Sequence, residues 1–209
     1  MNIINAFPDS YTVLDLETTG FSSMNDDIIQ IGILDVEDHE LIDDAYSYIV
    51  NPNFPGSFTV PDHITDLTGI TSEKVSIDGI DPAFIIPLIA EKLRHIPIVA
   101  HNGIRFDKPF LEVGCRRFNT LAPIDGLWID TAALYKAMKM DSMSLLNASD
   151  TFLEFGTKIL NRSVRGLKYN LGHCCNDIGI DVSDLRAHRA DADCEATYRL
   201  FEQLREELI

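Results

Sequence analysis

The stretch of residues 11–20, YTVLDLETTG, constrains the fold of this chain more than any other. Its valine and leucines are typical of a buried β-strand, yet Asp15 and Glu17 interrupt them. Residues i and i+2 of a strand point to one face, roughly 7 Å apart along the chain, so the two carboxylates are expected side by side. Two threonines and Gly20 break the strand immediately afterwards. The stretch therefore predicts a strand over residues 11–17 that ends in two paired acids.

This pair of acids has two explanations. An isolated Asp-x-Glu is most simply the solvated edge of a half-exposed strand. The alternative is a metal site, because two such charges about 4 Å apart repel by roughly 4 kcal/mol at an effective dielectric near 20. A divalent cation between them removes that repulsion. The position of Asp15 and Glu17 at a strand end favours the metal site.

Length and composition limit the domain count and the classes of function. A chain of 209 residues with 45% apolar residues suits one domain with a sizeable core. The net charge of −16 argues against a protein that grips nucleic acid through an overall positive potential. It does not argue against a nuclease that uses metal ions and a local basic patch.

The location of the protein is predicted from what the sequence lacks. No apolar run approaches the roughly 18 residues of a membrane span, and the first ten residues have no basic stretch or apolar signal core. The cysteines, which form no CxxC pair, are Cys115, Cys174, Cys175 and Cys194. We therefore expect reduced thiols in a cytoplasmic protein without a membrane segment.

Apolar patterns and turn signals predict the remaining elements. Further strands are expected at 27–36, 43–52, 96–103 and 127–131, with a hairpin turn at 37–40, and helices near 62–68, 82–94, 107–118, 168–177 and 190–207. A three-strand meander followed by alternating strands and helices predicts an α/β fold with a mixed sheet flanked by α-helices.

Two later stretches offer further acids for a metal site. Asp107 follows the fourth predicted strand in VAHNGIRFDKPFL, where it could also cap a helix. His188, Asp191 and Asp193 lie in AHRADADCEAT, before the last predicted helix, where acids also complement the helix dipole. None of these residues is persuasive alone, but with the first pair they form an ordered series of D-x-E, then N…FD, then H-x4-D.

This series resembles the motifs of the DEDDh 3′–5′ exonucleases, the DnaQ-like group within the ribonuclease H-like fold. The matched residues are Asp15 and Glu17 in VLDLETTG, Asp107 in HNGIRFDKPFL, and His188 and Asp193 in HRADADCEAT. Asp191 falls at the wrong offset and is left out of the site. The resemblance runs from about residue 11 to residue 204 and implies a single exonuclease domain over residues 8–209. Its weak part, at about residues 139–166, is predicted as an irregular or helical elaboration.

The resemblance implies phosphodiester hydrolysis with two Mg²⁺ or Mn²⁺ ions in one site. Asp15 would bridge both ions, while Glu17 and Asp193 would hold the ion that carries the attacking water. Asp107 would act on the second ion. His188 would deprotonate the water, a role that suits an imidazole because it titrates near neutral pH. The spacing H-x4-D turns about 140° on a helix, so we expect His188 on a loop and Asp193 in the first turn of the helix.

The resemblance also implies contacts to the 3′ end of the substrate. Backbone amides of Thr18, Thr19 and Gly20 would meet the terminal nucleotide. Three side chains would line the 3′-end pocket, namely Leu67, Asn102 and Phe106. The alternative for Leu67 and Phe106 is an ordinary place in the hydrophobic core.

One basic segment stands out in this acidic chain. Residues 155–176 contain no acid, and their lysines and arginines are Lys158, Arg162, Arg165 and Lys168. We predict that the segment follows the substrate backbone through Arg162 and Arg165, with Tyr169 or Phe155 available for base stacking. A solvated surface and a contact surface for another protein are the alternatives.

The substrate and partners are less constrained. The spacing in HNGIRFDKPFL is closer to that of three-prime repair exonucleases than to that of bacterial proofreading subunits, which favours single-stranded DNA over RNA. The alternatives are a ribonuclease T-like exoribonuclease and a catalytically silent interaction module. A DNA polymerase partner and a homodimer are both left open. A zinc site of His173 with Cys174, Cys175 and Cys194 is disfavoured, because adjacent cysteines chelate one tetrahedral ion poorly.

Overall fold

The computed structural model describes residues 7–208. Its strands are β1 (Tyr11–Thr18), β2 (Ile28–Glu37), β3 (Glu40–Leu41), β4 (Tyr46–Ile49), β5 (Ile98–Ala100) and β6 (Trp128–Asp130). Its helices are α1 (Asp62–Thr68), α2 (Ser72–Asp78), α3 (Pro82–Leu93), α4 (Asp107–Arg117), α5 (Thr131–Lys139), α6 (Ser144–Asn147), α7 (Phe152–Leu160), α8 (Leu171–Ile178) and α9 (Ala190–Leu208). None of these helices combines the length and the apolar character needed to cross a membrane.

The strands form one mixed sheet in the order β3-β2-β1-β5-β6, with β4 also paired to β2. Pairs that involve β2 are antiparallel, whereas β1, β5 and β6 run parallel. The predicted α/β fold with a mixed sheet is therefore confirmed. Since β1, β5 and β6 run in one direction, their carboxyl ends meet at one edge of the sheet.

The hairpin between β2 and β3 follows the predicted turn at residues 37–40. Glu37 pairs with Glu40, and the two residues between them, Asp38 and His39, have φ angles of 49° and 69°. Two consecutive left-handed residues are typical of the type I′ turn, whose twist matches that of the flanking strands.

The central strand β1 is covered on both faces. Val13 packs into a core formed mainly with α5, α7, α8 and α9, while Leu14 and Leu16 pack into a second core formed mainly with α3 and α4. Asp15 and Glu17 alternate with the leucines and therefore lie on the face that α9 covers. The explanation of the acid pair as the edge of a half-exposed strand is wrong for this reason.

Two parts of the chain differ from the sequence-based expectation or extend it. Helix α2 is absent from the predicted elements, because it has only seven residues and buries only Val75. Residues 139–166 contain α6 and α7, and α7 buries Phe155 and Ile159 in the same core as Val13.

Candidate active site

The second motif is joined to the first by a hydrogen bond. Asp107 is the first residue of α4 and is 2% exposed. Its Oδ1 accepts a hydrogen bond from the backbone N–H of Leu16 at 2.9 Å. The predicted role of Asp107 as a helix cap is wrong, because Phe106 occupies the N-cap position and no side chain caps the helix. The carboxylate instead faces β1 between Asp15 and Glu17.

The third motif is brought over β1 by close packing of α9 against β2. Gly32 lies opposite Asp15 in the β1–β2 ladder. A Cβ atom at Gly32 would lie 2.3 Å from the backbone oxygen of Ala190, the first residue of α9. Because only glycine permits this approach, the first turn of α9, which contains Asp193, lies directly above the two acids of β1.

Gln30 also fixes the start of α9, through a hydrogen bond to its first residue. It is 4% exposed and lies opposite Glu17 in the ladder. Its Oε1 accepts a hydrogen bond from the N–H of Ala190 at 3.2 Å, and its Nε2 donates to Oγ of Ser47 at 2.8 Å. Gln30 is absent from the predicted site, since an amide inside an apolar strand gives no local sign of a partner so far along the chain.

His188 lies on the loop before α9 and Asp193 lies in its first turn, as the spacing predicts. His188 has a left-handed backbone with φ of 61°, and its N–H donates to Oδ2 of Asp193 at 3.1 Å. One ligand atom each from Glu17, His188 and Asp193 lies within 4.8 Å of the others. Asp191 instead forms an ion pair with Arg189 at 2.6 Å, in agreement with its omission from the site.

The electrostatics of the site reflect four acids that are buried close to one another. Burial, followed by the charges of Asp107, Asp193 and Glu17, raises the pKa of Asp15 well above its ordinary value. Burial, followed by the charges of Asp193 and Asp107, raises the pKa of Glu17 to about 8. Burial raises the pKa of Asp107 to about 7 against the hydrogen bond from Leu16, which lowers it. Burial also raises the pKa of Asp193.

This donor set fits hard divalent cations. The site offers carboxylate oxygens, which Mg²⁺ and Mn²⁺ prefer, and the raised pKa values show that the acids repel one another when ionised. A cation between them would restore their ordinary acidity. Asp15, Glu17, Asp107 and Asp193 are therefore the residues that could hold metal.

Asp130 is a further organising residue that lies outside the predicted site. It ends β6, is 3% exposed, and accepts hydrogen bonds from the N–H groups of Asn102 and Ile104, each at 3.1 Å. It also accepts one from Ala133 and so caps α5. A single carboxylate thus shapes the loop that leads from β5 to Asp107. An Asp-Thr pair at the end of a buried strand was the available signal.

The expected 3′-end pocket is supported most strongly at Asn102. Its φ is 58°, and its Oδ1 is buried without a hydrogen-bond partner in the described structure. A buried, unpaired oxygen is costly unless a ligand supplies a donor. The contact of Asn102 with a substrate hydroxyl stays a prediction, and it requires the side chain to turn so that Oδ1 becomes accessible.

The turn after β1 agrees with the expected pocket only in part. The N–H of Thr19 donates to the carbonyl of Asp27 at 2.9 Å, so this amide is not free to meet a nucleotide as predicted. Thr18 is buried, and its Oγ1 donates to the carbonyl of Gly20 at 2.6 Å. A Cβ atom at Gly20 would lie 2.5 Å from Oδ2 of Asp26, so a larger residue would displace this carboxylate, which accepts a hydrogen bond from the N–H of Ser22.

Apolar side chains surround the same turn. Leu67 is 50% exposed at the end of α1. The alternative that Leu67 belongs to the hydrophobic core is therefore wrong, and its exposure fits a contact surface. Phe106 is half-buried and packs edge-on against Phe21, with ring centroids 6.3 Å apart. Phe21 is 92% exposed and is absent from the predicted pocket, although it directly follows Gly20 in the sequence.

All the lysines and arginines of residues 155–176 lie within residues 158–168, the basic segment, and two residues differ from the expectation. Phe155, just before it, is 1% exposed, so its predicted availability for base stacking is wrong. Lys158 forms an ion pair with Glu154 at 2.6 Å. Arg162 and Arg165 are exposed and form no ion pair with any acid of residues 7–208.

The cysteines are not arranged as a zinc site in the described structure. Cys174, Cys175 and Cys194 are fully buried in the core. The group of metal-ligating atoms found within residues 7–208 consists of Glu17, His188 and Asp193 and includes no cysteine.

Sequence comparison finds relatives of this chain among DNA polymerases. The chain is 30% identical to the DNA polymerase III PolC-type protein of Clostridium perfringens (strain 13 / Type A) over 211 residues, which cover 97% of this chain. It is 30% identical to that of Bacillus subtilis (strain 168) over 199 residues, which cover 95%. The matched part is 12% of the length of each relative, so this chain corresponds to a small part of them.

Structure comparison finds the same architecture in solved exonucleases. A zinc-bound complex of E. coli exonuclease I with single-stranded DNA matches 95% of this chain and 40% of that chain, with a TM-score of 0.69 and 19% identity. A product-bound structure of exonuclease I matches 94% and 43%, with a TM-score of 0.70 and 19% identity. The predicted ribonuclease H-like fold is therefore confirmed.

A family model settles the relationship. The model described as "Exonuclease" (RNase_T) matches residues 12–201, which contain all the acids of the site and His188. The chain therefore belongs to the DnaQ-like exonuclease family, as its motifs predicted.

Proposed function

We propose that this chain is a metal-dependent 3′–5′ exonuclease that removes nucleotides from the 3′ end of single-stranded DNA. The observation that carries the proposal is the cluster of four carboxylates with raised pKa values beside His188 at the carboxyl edge of the sheet. Rigid strands and helix ends hold the side chains, which gives the precision that a metal site needs.

Two divalent cations are the proposed cofactors, held by Asp15, Glu17, Asp107 and Asp193. When bound, they supply charge neutralisation at the scissile phosphate and a nucleophilic water at neutral pH. Mg²⁺ and Mn²⁺ are favoured over Zn²⁺, because every acidic ligand offers oxygen and none offers sulfur.

His188 is the proposed general base. Its place on an exposed loop lets it accept a proton from the attacking water and release that proton to solvent. The hydrogen bond from its backbone N–H to Asp193 fixes the loop relative to the acids, so proton transfer and hydrolysis take place in one geometry. The presence of the full set of acids and of this histidine disfavours a catalytically silent module.

The 3′ end is the proposed point of attack. Asn102, with its unpaired Oδ1, would accept a hydrogen bond from the 3′-hydroxyl. Leu67, Phe21 and Phe106 would pack against the terminal bases, since exposed apolar and aromatic side chains stack on bases without regard to sequence. A free 3′ terminus supplies both the hydroxyl and an unstacked base.

DNA is favoured over RNA as substrate. The relatives are named DNA polymerase III, and the solved neighbours include a complex with single-stranded DNA. Attachment to, or association with, a DNA polymerase is a natural extension of this proposal. A ribonuclease T-like activity is the second candidate, which the spacing of HNGIRFDKPFL and these neighbours both disfavour.

The basic segment is proposed to guide the strand towards the site. Arg105 donates to the carbonyl of Leu160 at 2.7 Å, and Lys136 donates to the carbonyls of Leu160 and Arg162. At the other end, Nε2 of His101 donates to the carbonyl of Tyr169 at 2.9 Å. These contacts tie both ends of the segment to the loop that carries Asn102 or to α5, which supports the proposal that Arg162 and Arg165 contact the strand on its way to the 3′-end pocket.

Timed digestion tests the proposal. Matched single-stranded DNA, duplex DNA and RNA, each labelled at the 3′ or the 5′ end, are incubated with the protein with and without Mg²⁺. We expect early release of the 3′ label as mononucleotide, a ladder of shortened 5′-labelled products, and the highest rate on single-stranded DNA. Turnover that persists in excess chelator would contradict the metal-dependent mechanism.

A further inference from the structure

A cationic cavity lies beside the acidic site. It has a volume of about 330 Å³ and opens between the end of α1, β4 and the loop before α9. Its lining residues are Gln30, Ser47, Ile49, Thr68, Gly69, Ile70, Lys74, Arg186 and Arg189. The lining includes three cationic side chains and no acid, although the chain has 33 Asp and Glu residues. Such a cavity attracts anions in a protein whose overall charge repels them.

Arg186 is the free cation of this cavity. It is exposed and forms no ion pair with an acidic side chain of residues 7–208. Its guanidinium lies against Gly69, where a Cβ atom would come within 2.7 Å of Nη2. Gly69 has φ of +74° and ends α1. The glycine therefore both closes the helix and leaves room for the guanidinium at the cavity wall.

The other two cations each have an acidic partner. Lys74 pairs with Asp78 at 3.4 Å, and about half of each side chain is exposed (48% and 53%). An exposed pair of this kind contributes about 0–1 kcal/mol, so a phosphate, which accepts several charge-assisted hydrogen bonds, competes with it. Arg189 is held more firmly, because it binds Asp191 through two hydrogen bonds, of 3.2 and 2.6 Å, which leaves Arg186 as the main candidate ligand.

The cavity adjoins the catalytic residues but is separate from the basic segment. Arg186 and Arg189 flank His188 in the sequence, and Gly69 follows Leu67 by two residues. The His188 loop also borders a different cavity, which Asn170 and the start of α8 line. The lining of the cationic cavity contains no residue of the basic segment, so the two cationic regions are distinct.

We propose that this cavity binds a phosphate of nucleic acid other than the one that is hydrolysed, with Arg186 as its main ligand. The proposal rests on the proposed function only in taking nucleic acid as the source of the phosphate. The phosphate belongs to the hydrolysed strand, to a complementary strand, or to a released mononucleotide, and these three share the chemistry that the arginines recognise.

The test measures binding rather than turnover, by fluorescence anisotropy with the full chain. Its three probes are a single strand with a non-hydrolysable 3′-terminal linkage, the same strand annealed to a longer complement, and, in competition, a deoxynucleoside monophosphate. Each is measured between about 50 and 200 mM salt. Arg186→Ala and Lys74→Ala are compared with wild type, with the charge-preserving Arg186→Lys, and with Arg116→Ala. Arg116 is also exposed and unpaired in residues 7–208, and it lies about 13 Å along α4 from Asp107.

We expect Arg186→Ala to weaken binding and to flatten the log–log salt dependence by about 0.7–0.9 for at least one nucleic acid. Arg186→Lys should keep most of the slope, and Arg116→Ala should behave as wild type. If Arg186→Ala loses affinity for the duplex alone, the phosphate belongs to the complementary strand. If it loses affinity for both nucleic acids, the phosphate belongs to the hydrolysed strand. If only the competition by the monophosphate is weakened, the phosphate belongs to the released product. Wild-type affinity and slope in Arg186→Ala for all three probes would overturn the proposal. If the wild type does not hydrolyse nucleic acid, the proposed function is contradicted, but the comparison of binding by Arg186→Ala and wild type still tests the phosphate site.

Discussion

The carboxylate of Asp107 accepts a hydrogen bond from the backbone N–H of Leu16 at 2.9 Å. The bond joins the start of α4 to the middle of the acid pair on β1, so the second motif is fixed to the first through main chain rather than through a metal. The hydrogen bond therefore holds Asp107 beside Asp15 and Glu17 even when no cation is bound.

Substitutions of Asp107 should separate its structural role from its chemical role. Asp107→Asn keeps an acceptor for the N–H of Leu16 and removes one repelling charge, so we expect a metal-free melting temperature at or above that of wild type. Asp107→Ala leaves that N–H buried without a partner, which costs about 1–3 kcal/mol. Both variants should lose hydrolysis. Thermal melts and the digestion assay check this, and equal melting temperatures for the two variants would show that the hydrogen bond contributes nothing.

The stability of the metal-free protein should fall as pH rises. The pKa of Glu17 is raised to about 8 and that of Asp107 to about 7, so the folded state binds their protons more tightly than the unfolded state does. Their contribution is complete below the unfolded values near pH 4 and is lost as pH rises through the folded values, between about pH 7 and 8. Added Mg²⁺ should therefore raise the melting temperature more at pH 8 than at pH 5.

The double variant Glu17→Gln with Asp107→Asn is the control for this pH dependence. It has no titrating group at either position, so its metal-free melting temperature should change less between those pH values and respond less to Mg²⁺. If wild type and the double variant show the same pH profile, these two carboxylates are not the source of the effect.

His188→Ala should lower the rate of hydrolysis by about 10²–10⁴-fold and leave Mn²⁺ affinity nearly unchanged. The reason for measuring both is that His188 lies within 4.8 Å of ligand atoms of Glu17 and Asp193, a distance that a metal ligand would also have. Calorimetric titration with Mn²⁺ separates the roles, with His95→Ala as a control for an exposed histidine on another loop. A parallel loss of affinity and rate would make His188 a ligand, and near-native turnover would remove it from the mechanism.

The motif residues could be proposed from the sequence because their spacing is local and because the ordered series of motifs resembles that of a known family. Asp15 and Glu17 are read from an alternation of two residues, and the loop position of His188 follows from its spacing to Asp193. Gln30 could not be found in this way, since its partner Ala190 lies 160 residues away. Its role depends on how α9 crosses the sheet, which no local pattern encodes.

The error at Phe155 had a different cause. Phe152, Phe155 and Ile159 follow helical spacing and are all buried, so periodicity in residues 152–160 indicates a core helix. That signal lies in a region where the family resemblance is weak, and the basic residues that follow Phe155 favoured a substrate role for it. The free amide expected at Thr19 failed because the partner of that N–H, Asp27, lies beyond the motif itself.

Gln30→Ala should reduce kcat by about 10–100-fold, the usual effect of losing a group that orients metal ligands, with a smaller change in KM. Loss of the Oε1 acceptor frees the first turn of α9 and with it Asp193. Ser47→Ala removes only the partner of Nε2 and should have a mild effect. Steady-state kinetics over a range of Mg²⁺ concentrations decides the matter, and wild-type kcat in Gln30→Ala would show that Gly32 packing alone positions the helix.

The double variant Arg162→Ala with Arg165→Ala should weaken binding of single-stranded DNA and flatten its log–log salt dependence by about 1–2. Both arginines are exposed, and a phosphate that no arginine neutralises keeps its condensed counterions, so fewer ions are released on binding. The folded state should be little affected, because the carbonyls of Leu160 and Arg162 that Arg105 and Lys136 bind are main chain and remain, and the side chain of Arg162 loses only an exposed hydrogen bond to Ser142. Anisotropy titrations at several salt concentrations measure the slope.

The matched control is the double variant Arg94→Ala with Arg116→Ala, which removes the same charge from the C-terminal ends of α3 and α4. If both double variants shift the slope equally, the effect is one of net charge, and the basic segment is solvated surface or a contact for another protein.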